Sequence, residues 1–421
     1  SDRLIVQYDW KPTVFTDGGK PKVDDETLKA LTHISECELL QKYYMLDKRI
    51  GQLAEGNKAW LKYVDEEGFL RGQYNVNGAV TGRATHNHPN IAQVPAADEK
   101  VPYGREFREL FTVPDGWCLL GSDLSGLELR CLGHFMAKWD NGAYLSEILQ
   151  GDIHWTNVQA LGLVPKGTEK DQHNAWQKTA RNKIAKTFIY AFLYGAGDEK
   201  IGKIFTKHKP LTEAQLKKYG SDRGIIKMLQ RQNRKPSRRL VATIYVGRKL
   251  KAKFLKALPA LANLAHDNKN PSAIDKVLAK RDRQYNKMWL NGLDGRELHV
   301  RAKHSALNTL LQSAGALLCK VWIILVYNEL IKRGYLPGIT AKRGIWYASN
   351  GREADFVFCA WVHDELQIGC RTEISEEVGQ VCKDMAIKAG EFFEFKAPIE
   401  ADYMCKDEET GEFYTTWADT H

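Results

Sequence analysis

Strand-like segments lie in two parts of this chain, and a long helical stretch separates them. Residues 71–122 alternate short apolar runs with Gly, Pro and Asn, which is typical of short strands and turns. Residues 140–335 have mostly helical patterns, and strands return with FVFCAWV and LQIGC near the C-terminal end. A sheet that uses both strand-like segments must join distant parts of the chain.

Apolar residues at helical spacing mark the helices of the first half. Those between Leu28 and Leu53 predict one helix over residues 25–56. The segment AWQKTARNKIAKTFIYAFLYGAG is predicted to form a single helix that stops at Gly195.

Two further helices have recognisable ends. Thr212 followed by Gln215 indicates a capping box at a helix start. The segment SALNTLLQSAGALLCKVWIILVYNELIKRG predicts a long helix that ends before Gly334. It contains the most apolar run of the chain, but Lys320 interrupts that run, so we expect a core helix and no membrane contact.

The size and charge of the chain narrow its class. Its 421 residues exceed what one compact core usually holds, so two or three packed units are expected. An apolar fraction of 43% excludes disorder as a whole. The formal net charge of +9 is compatible with a polyanionic partner. The chain begins with Ser1 rather than Met, which is compatible with a piece of a longer protein.

Cysteine spacing excludes two classes of site. None of the eight cysteines forms a CxxC pair, so neither a zinc ribbon nor a thioredoxin-like redox motif is indicated. Several lie in apolar runs such as FVFCAWV. We therefore expect buried, reduced thiols in a cytosolic protein.

One stretch is strongly basic. Residues 223–266 contain no Asp or Glu but carry twelve basic residues. A solvated helical face usually mixes both signs of charge, so this pattern favours contact with the phosphates of a polyanion. The basic residues are Arg223, Lys227, Arg231, Arg234, Lys235, Arg238, Arg239, Arg248, Lys249, Lys251, Lys253 and Lys256.

Two aspartates follow predicted strands that are far apart in sequence. Asp123 ends WCLLGSD at a strand-to-helix turn, and Asp364 lies in the tip of a predicted hairpin. If the two strands are neighbours in one sheet, the two carboxylates meet at its edge. Adjacent carboxylates repel each other, and a divalent cation such as Mg²⁺ relieves that repulsion. Taken alone, an aspartate at a strand end is usually a cap or turn residue.

Three residues on one face of a predicted helix suggest a nucleotide-binding site. Lys186, Tyr190 and Tyr194 are four residues apart, so they lie on one face of a helix. An ammonium group followed by aromatic rings suits phosphates followed by a sugar and a base. Without other motifs, an amphipathic helix with buried tyrosines is the simpler interpretation.

These pieces together resemble a known family. The strings SDLSGLELR (122–130), KTFIYAFLYGAG (186–197) and WVHDELQIG (361–369) look like motifs A, B and C of the family A DNA polymerases. Further matching strings occur in the family's order, and the likeness is strongest to the replicative enzymes of short-tailed phages. These strings are TGRATHNHPNIAQVP (81–95), GDIH (151–154), GLDGRELHVR (292–301) and HSALNTLLQSAGAL (304–317).

The resemblance implies a metal site and a nucleotide site. Asp123, Asp364 and the Leu124 carbonyl would hold two Mg²⁺ ions, with Mn²⁺ as a substitute, and Glu365 would support them. Lys186 would meet the triphosphate of a dNTP and donate a proton to pyrophosphate. The remaining nucleotide contacts would be His154 at a phosphate, Glu128 beneath the sugar, where it excludes a 2′-hydroxyl, and Tyr190, at a position linked to dideoxynucleotide tolerance.

The resemblance also implies contacts with primer-template DNA. Tyr194 and Gly195 would face the templating base, and His363 would position the primer end. Contacts with the duplex are implied for Arg83, Arg301, His304, Asn308 and Gln312. Taken singly, His154, His363, Glu365 and the pair Asn308 and Gln312 are more readily explained as structural residues. The ordered set of motifs favours the functional interpretation.

The implied architecture is an α+β fold in the form of a right hand, with an antiparallel palm sheet, helical fingers and a shortened thumb. The fingers are expected to close on the incoming nucleotide. The predicted regions are a thumb base (1–70), palm with motif A (71–139), fingers with motif B and a basic insertion at 206–256 (140–307), and palm with motif C (308–421).

One position departs from the family pattern. The family usually has Arg four residues before the motif B lysine, and this chain has Asn182 there. On an ideal α-helix Lys183 lies about 60° from Lys186, whereas Arg181 lies about 140° away. We therefore predict that Lys183, rather than Arg181, supplies the missing phosphate contact.

Other expectations concern activities and partners. We expect no 3′→5′ exonuclease on this chain, because the residues before Asp123 already resemble polymerase sequence, and low processivity unless a replisome protein or processivity factor compensates. The host-cell cytoplasm is the expected location. Two alternatives are a single-subunit RNA polymerase, against which Glu128 argues, and a DNA-binding or structural subunit, against which the intact set Asp123, Lys186 and Asp364 argues.

Overall fold

The computed structural model describes residues 1–12, 15–16, 18–31, 33–265, 271–285, 287–342 and 344–420. His266, the last residue of the predicted basic stretch, lies outside the described residues. The chain divides into two compact units. The first comprises Ser1–Tyr74, His86–Gln93 and Lys342–Gly344, and the second comprises Asn75–Thr85, Val94–Ala341 and Ile345–His421. The finer division into palm, fingers and thumb stays a prediction.

The strands of the described residues are mostly short. In chain order they are β1 (Gln73–Asn75), β2 (Thr85–Asn87), β3 (Trp117–Leu124), β4 (Trp289–Asn291), β5 (Glu297–His299), β6 (Thr340–Lys342), β7 (Ile345–Tyr347), β8 (Phe356–Val362), β9 (Glu365–Arg371) and β10 (Ala401–Met404).

The first unit is helical, with α1 (Asp2–Tyr8), α2 (Asp25–Lys29) and α3 (Ser35–Ile50) around a small core. The prediction of one helix over residues 25–56 was wrong, because the helix ends at Lys29 and restarts at Ser35. Leu28, Leu31 and Ile34 all lie in the core of this unit.

The second unit contains the remaining helices. They are α4 (Gly104–Glu109), α5 (Leu127–Asp140), α6 (Ala143–Gln150), α7 (Ile153–Ala160), α8 (Ala175–Thr179), α9 (Lys186–Leu193), α10 (Asp198–His208), α11 (Glu213–Tyr219), α12 (Arg223–Arg231), α13 (Arg238–Ala257), α14 (Pro259–Leu264), α15 (Ala273–Tyr285), α16 (Ala306–Lys332) and α17 (Ser375–Phe392).

A four-stranded antiparallel sheet organises the second unit. Its strand order is β10-β3-β9-β8, so the two strand-like parts of the sequence do pair. The fold is therefore α+β, as the sequence predicts. Helix α17 packs on the sheet and α16 packs on α17, where the Trp322 indole donates a hydrogen bond to the Cys382 carbonyl oxygen (2.9 Å). These contacts fix the sheet edge that carries the candidate site.

The long helix α16 is the core helix that the sequence predicts. The stretch Lys303–Lys332 is long and apolar enough to cross a membrane by length and composition, but 67% of its most apolar window is buried inside the protein. It packs against α5 and α17. Gly334, in the left-handed region with φ 94°, follows its end.

The predicted helix before Gly195 is continuous but not uniformly α-helical. A π-helix, Ala180–Ala185, joins α8 to α9, and the Lys186 N–H donates to the Arg181 carbonyl oxygen five residues earlier. A π-helix has a wider turn than an α-helix. The ideal-helix angles that favoured Lys183 over Arg181 therefore do not apply to this segment.

Two smaller expectations have opposite outcomes. The capping box of Thr212 and Gln215 is confirmed, because each side chain bonds the backbone of the other residue. The prediction of buried cysteines was wrong at Cys359, which is exposed beside a register shift of β8, while the other seven free cysteines are buried.

Candidate functional site

The strand pairing brings the two predicted metal carboxylates to one edge of the sheet. Asp123 lies opposite Glu365 in the pairing of β3 with β9. The Leu124 N–H donates a hydrogen bond to the Asp364 carbonyl oxygen (3.2 Å). Asp364 occupies a two-residue turn between β8 and β9, where His363 adopts the left-handed region with φ 60°. Asp123 and Asp364 are thus held together by backbone geometry.

The surroundings of Asp364 disfavour its negative charge. Burial and the nearby Glu128 carboxylate raise the pKa of Asp364. Cys319, buried in α16, has a raised pKa because of burial and of the negative charges of Asp364 and Asp123, among others. Both aspartates therefore act on the same buried region. Such an arrangement favours a bound cation, because a cation removes the repulsion between the carboxylates.

The donor set fits a hard divalent cation in part. The described residues hold no group of three or more His, Cys, Asp and Glu side chains arranged for a metal. Asp123 and Asp364 supply two carboxylates. Leu124 follows Asp123 directly, and its backbone N–H is bonded to the Asp364 carbonyl oxygen. Oxygen donors of this kind suit Mg²⁺, which usually keeps several waters and shares phosphate oxygens with a substrate.

Glu365 supports this edge from the interior. It is 6% exposed, and its Oε1 accepts hydrogen bonds from Trp417 Nε1 (2.7 Å) and Gln367 Nε2 (2.6 Å). These bonds hold the first residue of β9, directly after Asp364. No pattern in the sequence pointed to Trp417, because only the fold brings the C-terminal segment to the sheet.

Glu128 lies close both to Asp364 and to the tyrosines of the predicted nucleotide site. It lies in the first turn of α5, where Arg83 Nη2 approaches its Oε1 (3.4 Å) and the Tyr194 hydroxyl donates to the same oxygen (3.4 Å). Burial and Glu128 raise the pKa of Tyr190. Asp364, Glu128, Tyr190 and Tyr194 therefore face one region of the protein.

Lys320 of α16 holds the loop that carries Arg83. Lys320 Nζ donates to the Gly82 carbonyl oxygen and to Asn77 Oδ1, at 2.7 Å each. Lys320, which interrupts the apolar run of α16, therefore has a structural function. It fixes the loop so that Arg83 can reach Glu128.

A cationic cluster surrounds His154 at the start of α7. Asp152 caps this helix and binds both Arg181 (Nε to Oδ2, 2.6 Å) and Lys170 (Nζ to Oδ2, 2.7 Å). Burial opposes ionisation of Asp152, but these two cations outweigh it and lower its pKa to about 2. Asp152 and Lys170 were not singled out from the sequence, although GDIH contains the first.

His154 lies near Lys186 and Tyr190 of α9. Burial and the charges of Arg181 and Lys186 lower the pKa of His154, so its neutral form is favoured. Its ring centroid lies 6.4 Å from that of Tyr190, and its buried Nδ1 has no hydrogen-bond partner among the residues that the structure describes. His154, Arg181, Lys186 and Tyr190 therefore form one cluster, in which an anion with acceptor oxygens would find several donors.

The π-helix decides which cation joins that cluster. Because the bond from Lys186 N–H to the Arg181 carbonyl oxygen joins successive turns, Arg181 lies one turn below Lys186. Lys183 and Asn182 are exposed, and Asn182 Oδ1 accepts a hydrogen bond from Arg181 Nη1 (2.7 Å). The geometry thus favours Arg181, which contradicts the premise of the prediction for Lys183.

Most of the residues predicted to contact DNA lie around the end of α9 and the start of α16, whereas Arg83 lies in the loop held by Lys320 and His363 in the turn between β8 and β9. Gly195 has φ 73°, and a Cβ there would come within 2.7 Å of the His304 carbonyl oxygen, so these two residues are in close contact. Asn308 and Gln312 are half-buried on one face of α16. Arg301, His304 and His363 are exposed.

Comparisons with known proteins show which family the chain matches. The model of DNA polymerase family A matches residues 2–408. The DNA-directed DNA polymerases of Enterobacteria phage T3 and Escherichia phage T7 are both 39% identical over 100% of this chain and 51% of their own length. The chain therefore spans about half the length of these curated relatives.

A more distant relative and a solved structure extend the likeness. The thermostable DNA polymerase I of Thermus aquaticus is 27% identical over 43% of this chain and 22% of its own length. The POL domain of Pol1 from M. smegmatis, solved in complex with DNA primer-template and dNTP, aligns with a TM-score of 0.65, 15% identity, 99% of this chain and 60% of its own. At that identity, the structural likeness shows the fold alone.

Proposed function

From the premise that this chain belongs to DNA polymerase family A, we propose that it is a DNA-directed DNA polymerase. It joins a dNTP to the 3′-hydroxyl of a primer, as the template directs, and releases pyrophosphate. The observation that carries this proposal is the backbone hydrogen bond from Leu124 to Asp364, which brings Asp123 and Asp364 to one sheet edge beside Glu128.

Asp123, Asp364 and the Leu124 carbonyl would hold two Mg²⁺ ions, or Mn²⁺ in their place. When bound, such ions activate a hydroxyl nucleophile and stabilise the charge of a leaving pyrophosphate. The protein contributes the position of the carboxylates. Glu365 contributes indirectly, because its bonds to Trp417 and Gln367 keep the strand that follows Asp364 in place.

The cationic cluster at α7 and α9 binds the triphosphate. Lys186 and Arg181 supply charge from successive turns of the helix, and the neutral ring of His154 supplies a hydrogen-bond donor. The Lys186 ammonium donates a proton to the leaving pyrophosphate. In the free protein Asp152 holds Arg181, so a triphosphate competes with this carboxylate for the guanidinium.

Glu128 selects deoxyribose. Its carboxylate is fixed by Arg83 and Tyr194, so it cannot easily move aside for a 2′-hydroxyl. Tyr190 lies on the same side, next to His154, where it packs against the sugar and base. Selection thus depends on a side chain that two neighbours hold in place.

The residues around the end of α9 bind primer-template DNA. Tyr194 and Gly195 face the templating base, His363 positions the primer end, and the duplex contacts Arg83, Arg301, His304, Asn308 and Gln312. This assignment gives a palm built on the four-stranded sheet, fingers built on α6 to α15 and a thumb base in the first unit. The proposed partners are primer-template DNA, dNTPs and replisome proteins of a host-cell cytoplasm.

Primer extension tests the proposal directly. A labelled DNA primer on a DNA template is incubated with Mg²⁺ and either dNTPs or rNTPs, beside the variant Asp123→Asn. We expect extension with dNTPs only, and none with the variant. Extension with rNTPs at equal efficiency would instead support an RNA polymerase, and Mg²⁺-independent DNA binding without extension would support a binding subunit.

A further inference from the structure

Helices α10, α11 and α13 form a compact extension behind the helix that carries Lys186. The Phe254 ring of α13 contacts those of Phe188 (centroids 4.9 Å apart) and Phe192 (5.6 Å) on the buried side of α9. Lys251 Nζ donates to the Ala196 carbonyl oxygen (3.3 Å), directly after Gly195. The part of α13 around Lys251 therefore lies next to the proposed template contacts.

The acidic residues of α10 neutralise only part of the basic charge. Asp198 pairs with Arg248 and Lys251, and Glu199 pairs with Lys203 and Arg234. Within the described part of the chain, no carboxylate lies at ion-pair distance from the exposed side chains of α12 and α13 that remain. These include Lys227, Arg231, Arg238, Arg239, Lys249 and Lys253.

A cleft opens between α10, α11 and α13, with a volume of about 170 Å³. Tyr219 and Tyr245 line it, with stacked rings whose centroids are 4.7 Å apart and whose planes differ by 15°. Lys249 Nζ lies 5.5 Å from the Tyr245 ring, and Lys253 also lines the cleft. No acidic side chain is among the described residues that line it.

We infer that this cleft binds the single-stranded template ahead of the primer end. A base packs against Tyr219 and Tyr245 while adjacent phosphates contact Lys249 and Lys253. Aromatic faces beside cations are the usual means of binding single strands without sequence preference. An acidic protein segment would match the charge but has no use for the stacked rings. The inference rests on the proposed function, because it assumes that a template strand passes Tyr194 and Gly195.

The first test separates the lysines from the active site. Binding is measured for two primer-templates, one with a long unpaired template overhang and one with a single unpaired nucleotide. The variant Lys249→Gln/Lys253→Gln should bind the long overhang about tenfold more weakly, and its salt slope should fall by about 0.7 for each phosphate that it no longer neutralises. Its affinity for the short overhang should be unchanged.

The matched control is Lys332→Gln/Lys388→Gln, which neutralises two exposed lysines of α16 and α17. It should bind both substrates like the wild type. Equal losses of affinity on both substrates for the cleft variant, or no loss on either, would overturn the inference. If the cleft variant kept its DNA affinity but no longer bound polyglutamate, the cleft would be a site for an acidic protein segment and the inference would be wrong.

The second test changes the substrate and leaves the protein intact. A long overhang of abasic nucleotides keeps its phosphates but offers no rings, so the wild type should bind it about tenfold more weakly than a normal overhang. The variant Tyr219→Leu should show a smaller difference between the two overhangs than the wild type, because only Tyr245 remains. Wild-type affinity that ignores the missing bases would overturn the role of the tyrosines. Extension of the short-overhang primer by one nucleotide tests the proposed function independently of either result.

Discussion

The backbone N–H of Leu124 donates a hydrogen bond to the backbone carbonyl oxygen of Asp364 over 3.2 Å. Main-chain atoms therefore join the motif of Asp123 to the motif of Asp364, although the two are far apart in the sequence. The bond lies beside the side chains that do the proposed chemistry. Because the carboxylates do not hold the two strands together, they can be altered without loss of the fold.

The variant Asp364→Asn should separate activity from stability. The pKa of Asp364 is raised by burial and by Glu128, so removal of its charge relieves repulsion in the folded state. We expect primer extension to fall by roughly 10²–10³-fold or more, while the midpoint of thermal unfolding stays the same or rises slightly. A large fall in the midpoint would mean that the carboxylate itself is needed for folding.

Substitution of Glu128 should weaken sugar selection. In Glu128→Ala the side chain held by Arg83 and Tyr194 is missing, so a ribose fits more easily. The ratio of kcat/KM for dNTP to that for rNTP should fall about ten- to hundredfold. Glu128→Gln is the matched control, since it keeps the bulk and should keep most of the ratio. Selection that survives in the alanine variant would assign it to another residue.

The two cations next to Asn182 should differ in their effect on nucleotide binding. Arg181→Ala removes a guanidinium from the cluster at His154 and should raise KM for dNTP about tenfold or more, as expected when a charge-assisted hydrogen bond is removed. Lys183→Ala, at an exposed position outside that cluster, should change KM little. A larger rise for Lys183→Ala would restore the prediction made from ideal helix geometry.

The indole of Trp417 should support the proposed metal site indirectly, through its hydrogen bond to Glu365. Trp417→Phe keeps an aromatic ring beside Phe111 but removes the hydrogen bond to the buried Glu365 carboxylate. We expect the free energy of unfolding to fall by about 1–3 kcal/mol. We also expect kcat to fall with little change in KM for dNTP, because the cationic cluster proposed to bind the triphosphate lies on α7 and α9. An unchanged kcat in a destabilised variant would reduce Trp417 to a purely structural residue.

Stability should depend on pH through His134. Its ring stacks on Phe395 (centroids 4.0 Å apart), and its Nδ1 accepts a hydrogen bond from the Lys396 backbone N–H (3.0 Å). Burial and the Lys396 charge lower its pKa to about 4. The unfolded chain therefore binds a proton at higher pH than the folded protein does, and stability falls as pH decreases from about 6.5 towards that value.

Thermal unfolding at neutral and mildly acidic pH measures this effect. The wild type should lose roughly 1 kcal/mol more than His134→Phe over that pH range, with allowance for the partial exposure of the ring. The phenylalanine keeps the stacking on Phe395 and cannot titrate. Equal decreases in both proteins would assign the acid sensitivity to other groups.

The sequence predicted the parts of the site that depend on local pattern and on strand ends. The strand ending near Asp123, the hairpin at Asp364 and the helix after Gly126 all depend on turn residues and on apolar runs, and the structure contains each of them. Their adjacency was a conditional prediction, because no local pattern states which strands pair. The pairing of β3 with β9 fulfils that condition.

The misses involve geometry that local sequence does not contain. The Trp417 contact with Glu365 depends on where the C-terminal segment packs. The break between Lys29 and Ser35 depends on a core to which α1 also contributes. The π-helix before Lys186 has no distinct signature in ARNKIA, so the prediction for Lys183 assumed an ideal α-helix that the segment does not form.

The wide turn at Ala180–Ala185 also bears on how this chain relates to its family. An extra residue inserted into an α-helix would rotate everything before it by about 100° relative to everything after it. A π-turn holds one residue more than an α-helical turn, so Arg181, five residues before Lys186, still lies one turn below it. The spacing from arginine to lysine therefore differs by one residue from the family pattern, while one turn of helix still separates the two side chains.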